Sequence, residues 1–247
     1  MLHILMRISD AGNPKKVKLP FATPLYCLDN CIQVFGRDRL TVFADNCSPE
    51  TLHALRERSI LPLEIKLGNA GSFLHVLNYA REHFSGEDRL YLLEDDYLHL
   101  PSAPLLLEEG LDIADYVTLY DHSDKYFNAA DGGPNPFIRE GGELGRVLLT
   151  KSTHWKTTNS TTMTFAVRAK TLAEDAPVWQ KYAIRDFAAF TFLQRHPKNL
   201  WKYLLQTLSP HPRRRLISSI PAAATHCELA WLAPLISWDE ITPDRTP

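Results

Sequence analysis

Residues 89–97, Arg89-Leu90-Tyr91-Leu92-Leu93-Glu94-Asp95-Asp96-Tyr97, decide how this chain folds. Positions 90–93 are apolar residues of strand type without Gly or Pro, and Pro101 marks a break soon after. The stretch reads as a short buried strand that runs into three consecutive carboxylates. Three acids at the mouth of a buried strand repel one another and resist desolvation. A fold keeps such a group most easily where positive charge compensates it. A hard divalent cation does so economically, because Mg²⁺ or Mn²⁺ takes one or two carboxylates and completes its shell with water and phosphate oxygens. A solvated strand end with acids in a turn is the plain alternative.

Upstream, the same alternation of elements repeats. Leu2–Ile8 is a strand, and Ser9-Asp10-Ala11-Gly12-Asn13-Pro14 is a turn-forming loop followed by the basic cluster Lys15, Lys16 and Lys18. Leu25, Leu28, Ile32 and Phe35 recur at helical spacing up to Gly36. Leu40–Ala44 is a second strand, closing on Asp45-Asn46, and Ser48-Pro49 caps a helix with Leu52 and Leu55 inward. Leu63–Leu67 is a third strand, the loop Gly68–Ser72 follows, and Phe73, Leu74, Leu77, Ala80 and Phe84 line another helix. The order βαβαβαβ predicts an α/β fold with a mainly parallel sheet flanked by helices. Ligands of such sheets sit beyond the carboxyl ends of the strands. Asp10, Asp45, Asn69 and the Glu94–Asp96 triplet all fall at such ends, which makes that rim the expected site.

Composition narrows the function. The 247 residues are 45% hydrophobic and 23% charged, enough for one large α/β domain or two small ones. A net charge of −2 argues against a dedicated nucleic-acid binder. No apolar run approaches the ~20 residues that span a bilayer. The N-terminus lacks a charged leader and a cleavage site, so a cytoplasmic protein is expected. Cys27 and Cys31 lack a second pair at zinc spacing and read as small buried hydrophobes.

After residue 100 the pattern changes. Tyr116–Tyr120 reads as a strand leading into a long polar segment, Asp121 to Gly145, expected to act as a lid or acceptor-facing loop. Gly145–Lys151 and Thr161–Val167 read as strands around Thr153-His154-Trp155-Lys156-Thr157-Thr158-Asn159-Ser160, a set of hydroxyls and amides beside a Trp suited to holding a polyol, or else a plain hairpin turn. Asp186 opens a helix carrying Phe187, Phe190 and Leu193, where it either stabilises the helix terminus or points into a cleft. Leu216–Ile220 is a late strand, and His226 follows in a loop of small residues. Arg213, Arg214 and Arg215, with the apolar Leu229–Trp238 tail, read as a solvated basic turn beside a core segment or as a peripheral membrane contact.

Taken together, these parts resemble the GT-A-type nucleotide-sugar glycosyltransferases, nearest to the family 2 group. Glu94-Asp95-Asp96 stands where that family has its Asp-x-Asp metal motif, Gly68-Asn69-Ala70-Gly71 looks like its Asn-x-Gly stretch, and Asp10 and Asp45 match its nucleotide contacts. The resemblance implies a nucleotide-sugar-binding half at 1–100 and an acceptor-binding half at 101–247 within one GT-A domain. It implies Mn²⁺ or Mg²⁺ on Glu94, Asp96 and His226, a UDP- or GDP-sugar donor contacting Asp10, Asp45, Asn69 and Asp95, and Asp186 as catalytic base. Trp155, Thr157, Asn159 and Ser160 would bind a glycan acceptor in surface polysaccharide synthesis, with inversion at the anomeric carbon. Two departures mark this chain: the triplet is Glu-Asp-Asp, and Arg185 precedes Asp186 where the family has Glu. The competing readings are a sugar nucleotidyltransferase and a non-catalytic carbohydrate- or nucleotide-binding module.

Overall fold

The computed structural model describes residues 1–12, 16–195 and 211–241. Lys15 of the basic cluster lies outside them. Strand β1 (Leu2–Ile8) leads to helix α1 (Pro24–Phe35), where the Thr23 hydroxyl accepts from the Tyr26 N–H and Gly36 ends the helix at φ 84°. That positive φ favours a residue without Cβ. Strand β2 (Leu40–Asp45) leads to helix α2 (Pro49–Glu57), with Ser48 accepting from the Thr51 N–H. Strand β3 (Leu63–Ile65) is shorter than expected, and helix α3 (Gly68–His83) begins at Gly68 itself. The glycine-containing stretch read as a loop is therefore the first turn of a helix. Strand β4 (Arg89–Glu94) then delivers the acids.

The second half contains β5 (Tyr97–His99), α4 (Ala103–Ile113), β6 (Tyr116–Thr118), β7 (Val147–Leu149), β8 (His154–Thr157) and β9 (Phe165–Arg168). Helices α5 (Ala169–Tyr182) and α6 (Asp186–Leu193) follow, then β10 (Leu216–Ile220) and β11 (Ala224–His226). Among the described residues, nine strands form one sheet in the order β3-β2-β1-β4-β9-β6-β10-β8-β7. The block β3-β2-β1-β4 is parallel, as the alternation predicts, and the remainder is mixed. Apolar cores fill both faces, one under α1 and α4 and the other under α3, α5 and α6. On the first, Gly110 lets α4 lie close to the sheet, since a Cβ there would meet Val117 and Trp155 at 2.8 and 2.9 Å.

Four local expectations change. Residues 154–157 form β8 instead of a loop, which turns the Trp155 ring fully into the core, its Nε1 donating to Thr150 Oγ1 at 2.9 Å. Trp155 is thus a packing residue, inaccessible to an acceptor. Strand β9 starts at Phe165 instead of Thr161, because Thr162 and Met163 sit at φ 49° and 60° in a tight turn. His226 lies in a strand, not a loop: β11 pairs with β5 and sets His226 opposite Tyr97. Arg214 is buried, bonded to the fully buried Asp175 at 2.8 Å and to Glu174 at 2.6 Å, so the middle of the basic run is an internal ion pair. Among the described residues, no helix is long and apolar enough to cross a membrane.

Candidate active site

The parallel register brings the carboxyl ends of β1, β2 and β4 to one edge of the sheet. A cavity of about 280 Å³ opens there, lined among others by Arg7, Ser9, Lys16, Lys18, Asp45, Asn69 and the Glu94–Asp96 triplet. Arg7 sits opposite Glu94 in the β1–β4 ladder. Its guanidinium donates to Glu94 Oε1 at 2.6 Å, to the Asn69 carbonyl and Oδ1 at 2.9 Å, and to Ser72 Oγ at 3.1 Å. One cation thereby ties the acidic strand to the first turn of α3. Asp45 fixes the same turn from β2, its Oδ1 accepting the Leu67 and Gly68 N–H groups at 2.7 and 3.2 Å. The positive end of α3 is held at the rim.

The triplet is partly neutralised by the chain itself. Asp95 accepts the Ser9 N–H at 2.8 Å, and burial, reinforced by neighbouring Asp96, pushes its carboxyl up to about 7. Burial would raise Asp96 as well, but His226 at 3.1 Å and Lys18 at 2.8 Å outweigh it and hold that carboxyl well below the usual range. Burial raises Glu94, with Arg7 opposing the shift. Lys16 completes the group, 3.4 Å from His226 Nε2 and 3.5 Å from Glu228. Arg7 and Lys18 supply part of the positive charge that the triplet calls for.

The expected trio of Glu94, Asp96 and His226 does not converge. Glu94 is turned onto Arg7, and among the described residues no three His, Cys, Asp or Glu side chains cluster as metal ligands. Asp96 and His226 do come together, and Asp96 Oδ1 is buried without a hydrogen-bond partner. An under-bonded carboxylate oxygen beside an imidazole suits a small divalent cation that takes its remaining ligands from phosphate and water.

The other expected residues scatter. Asp10 caps α2, accepting from the Ser48 N–H at 2.6 Å and Thr51 Oγ1 at 2.8 Å. Asp186 Oδ2 accepts the Thr161 and Thr162 N–H groups at 2.7 and 2.8 Å, holding the strained turn before β9. That turn meets the acidic strand: Thr164 Oγ1 accepts the Glu94 N–H at 3.3 Å, and the Tyr97 hydroxyl donates to the Thr162 carbonyl at 3.1 Å. Asn159 Oδ1 and Ser160 Oγ both accept from the buried Lys125 Nζ at 2.7 Å. Thr157 and Asn159 line a separate cavity of about 300 Å³ with Glu143 and Gln194. Burial raises Glu143, against the opposing charges of Lys125 and Lys156, and its Oε2 has no hydrogen-bond partner. Lys156 in turn is 2.7 Å from Asp121.

Three of these groups lay outside the expectations. Arg7 carries a legible signal, a charge inside an otherwise apolar strand. Lys125 and Glu143 sit within the polar 121–145 segment with no periodicity to distinguish them.

A mixed α/β sheet with a charged cavity at the carboxyl edge of its parallel strands is the class these observations define. No protein-family model matches the chain, and a search of curated proteins finds no match. Its fold is similar to that of CMP:2-keto-3-deoxy-manno-octonic acid synthetase complexed with CTP, at 12% identity over 90% of this chain and 92% of that one, TM-score 0.45. It is also similar to S. aureus TarS 1–349, at 13% identity over 88% of this chain and 57% of that one, TM-score 0.44. A third similar structure is the galactosyltransferase LgtC in complex with donor and acceptor sugar analogues, at 10% identity over 89% and 86%, TM-score 0.42. The likeness is one of overall layout.

Proposed function

We propose that the chain is a glycosyltransferase that takes its sugar from a nucleotide-sugar donor held at the rim. The observation that carries this reading is the rim cavity itself, where Arg7, Lys16 and Lys18 converge with a buried, under-bonded Asp96 and the first turn of α3. Residues 1–100 would supply the donor half and 101–247 the acceptor half. Lys16 and Lys18 exchange their protein partners for the diphosphate, offsetting charge that develops on the leaving group. Asp96 and His226 would hold Mn²⁺ or Mg²⁺, which would supply Lewis-acid stabilisation to that diphosphate. Asp45 and Asn69 keep α3 in register with the bound nucleotide.

In this proposal Asp186 is a positioning residue, since its carboxylate orders the turn that braces Glu94 and Tyr97. The acceptor's proton passes to Glu143, whose raised affinity for protons suits a general base. Thr157 and Asn159 orient a glycan hydroxyl in the separate cavity that they line with Glu143, and the 121–145 segment supplies Phe137, Glu143 and Leu144 to its wall. Direct displacement with inversion, in surface polysaccharide synthesis, is the finer form of the proposal.

Incubation with UDP- and GDP-sugars, Mn²⁺ and an oligosaccharide panel tests it through the products. Release of nucleoside diphosphate with a glycosylated acceptor supports a glycosyltransferase. Pyrophosphate formed from a nucleoside triphosphate and a sugar phosphate would instead assign a nucleotidyltransferase. Binding without turnover of any donor would assign a binding module.

A further inference from the structure

A second cavity, of about 610 Å³, lies at the other edge of the sheet. It gathers the residues that precede β6 and β10 and those that end β8 and β9, the antiparallel strands. Arg168, the last residue of β9, pairs with Arg89, the first residue of β4, so this edge is opposite the one that carries Glu94. Five arginines line the cavity, Arg146, Arg168, Arg213, Arg214 and Arg215, against two acids, Asp112 and Asp115. The acids are already engaged: Asp112 with Arg89 at 2.7 Å and Arg168 at 3.7 Å, Asp115 with the Arg215 N–H at 2.8 Å and Arg214 at 3.6 Å. Arg168 also meets Glu87 at 2.8 Å, and Arg214 belongs to Asp175.

Three guanidiniums remain. Arg213 Nε donates to the Gln194 carbonyl at 3.1 Å and Arg215 Nη1 to the Ile113 carbonyl at 3.0 Å, both neutral acceptors. The Arg146 side chain has no partner among the described residues, although its backbone is fixed by Thr157 Oγ1 at 2.9 Å. Guanidiniums gathered in one concavity with the neighbouring acids engaged elsewhere repel one another, and the planar guanidinium fork matches phosphate oxygens. The volume exceeds that of a bare phosphate and falls in the range of small-molecule sites, with Leu111, Ile113 and Leu144 offering apolar wall for an attached body.

We propose that this cavity is a binding site for a phosphate monoester, with Arg146, Arg213 and Arg215 holding the phosphate and the apolar wall its organic body. The site is separate from the rim but shares Leu144, Thr157 and Gln194 with the cavity assigned to the acceptor, and a phosphate titration reads it without turnover of any donor. Calorimetric titration with inorganic phosphate at low salt tests it in the wild type, in the R146Q/R215Q double variant and in K16Q/K18Q. The expected result is binding that weakens roughly tenfold or more in R146Q/R215Q and persists in K16Q/K18Q. Two further arms locate the source: a sugar phosphate that binds more tightly than phosphate marks a soluble ligand, while sedimentation with phosphatidic acid vesicles that is lost in R146Q/R215Q marks a lipid headgroup. No phosphate binding in the wild type, binding unchanged in R146Q/R215Q, or a loss that follows K16Q/K18Q would each overturn the proposal. Circular dichroism of the double variant ensures that any loss is read on a folded chain.

Discussion

At the carboxyl edge of the sheet, each acid of the triplet has a partner: Arg7 on Glu94, the Ser9 N–H on Asp95, Lys18 and His226 on Asp96. At the opposite edge, Arg146, Arg213 and Arg215 border a larger cavity with no carboxylate on their guanidiniums among the described residues. The difference teaches what mutation should do at each. Groups that compensate one another are costly to remove singly, because the partner is left buried and charged. Groups that repel one another cost little to remove until a ligand is present.

The sharpest contrast lies inside the arginine cavity. Arg214 is the member whose charge is buried, paired at 2.8 Å with Asp175, a carboxylate that also accepts from the Tyr116 hydroxyl at 2.7 Å and meets His211 at 2.7 Å. R214L should cost about 3–5 kcal/mol by urea denaturation, whereas R146Q should stay within about 0.5 kcal/mol. Equal losses would mean that the two arginines share one structural role.

A smaller effect separates Asp186 from a catalytic base. Asn at 186 keeps an oxygen for the Thr161 and Thr162 N–H groups, and Ala does not. D186A should lose about 1–3 kcal/mol, and D186N should retain stability and turnover within a few-fold. A large fall in turnover for folded D186N would return the base role to Asp186.

Smaller again is the pH dependence at the rim. The Asp95 carboxyl is raised to about 7 in the fold, so between its ordinary value of 3.8 and 7 the native state holds a proton that the unfolded chain has lost. Stability from this group therefore falls as pH rises through that window. Asp96 acts oppositely, since its lowered value gives stability above the unfolded pKa that is lost in acid. D95N should melt higher than the wild type at pH 8, by roughly 2–4 °C per kcal/mol recovered, and the two should approach each other near pH 4. A D95N melting curve parallel to the wild type across that range would contradict the burial of this carboxyl.

What the sequence made legible follows the reach of local patterns. The four parallel strands and the rim acids are visible because apolar runs, Ser48-Pro49 and Gly36 are signals within a few residues. Pairing of β5 with β11 joins segments from opposite halves of the chain, so His226 in a strand could not be read locally. Trp155 beside hydroxyls looked like a sugar platform, but strand alternation sends its ring inward while Lys156 reaches Asp121. That Arg7 and Lys18 supply part of the charge the triplet calls for is not legible locally, because partners across a sheet are invisible until the strands are ordered. The arginine cavity is assembled from six separate stretches, and only the 213–215 run among them was conspicuous.

The account's central claim is that Asp96 anchors a cation-assisted nucleotide site. Thermal shift of the wild type and D96N with UDP and GDP, each with and without Mn²⁺, tests it most directly, since a ligand of the folded state raises the melting temperature by mass action. The account predicts a shift in the wild type that grows with Mn²⁺ and a D96N protein whose nucleotide response ignores the metal. An equal Mn²⁺-dependent shift in D96N, or no nucleotide response in the wild type, would contradict it.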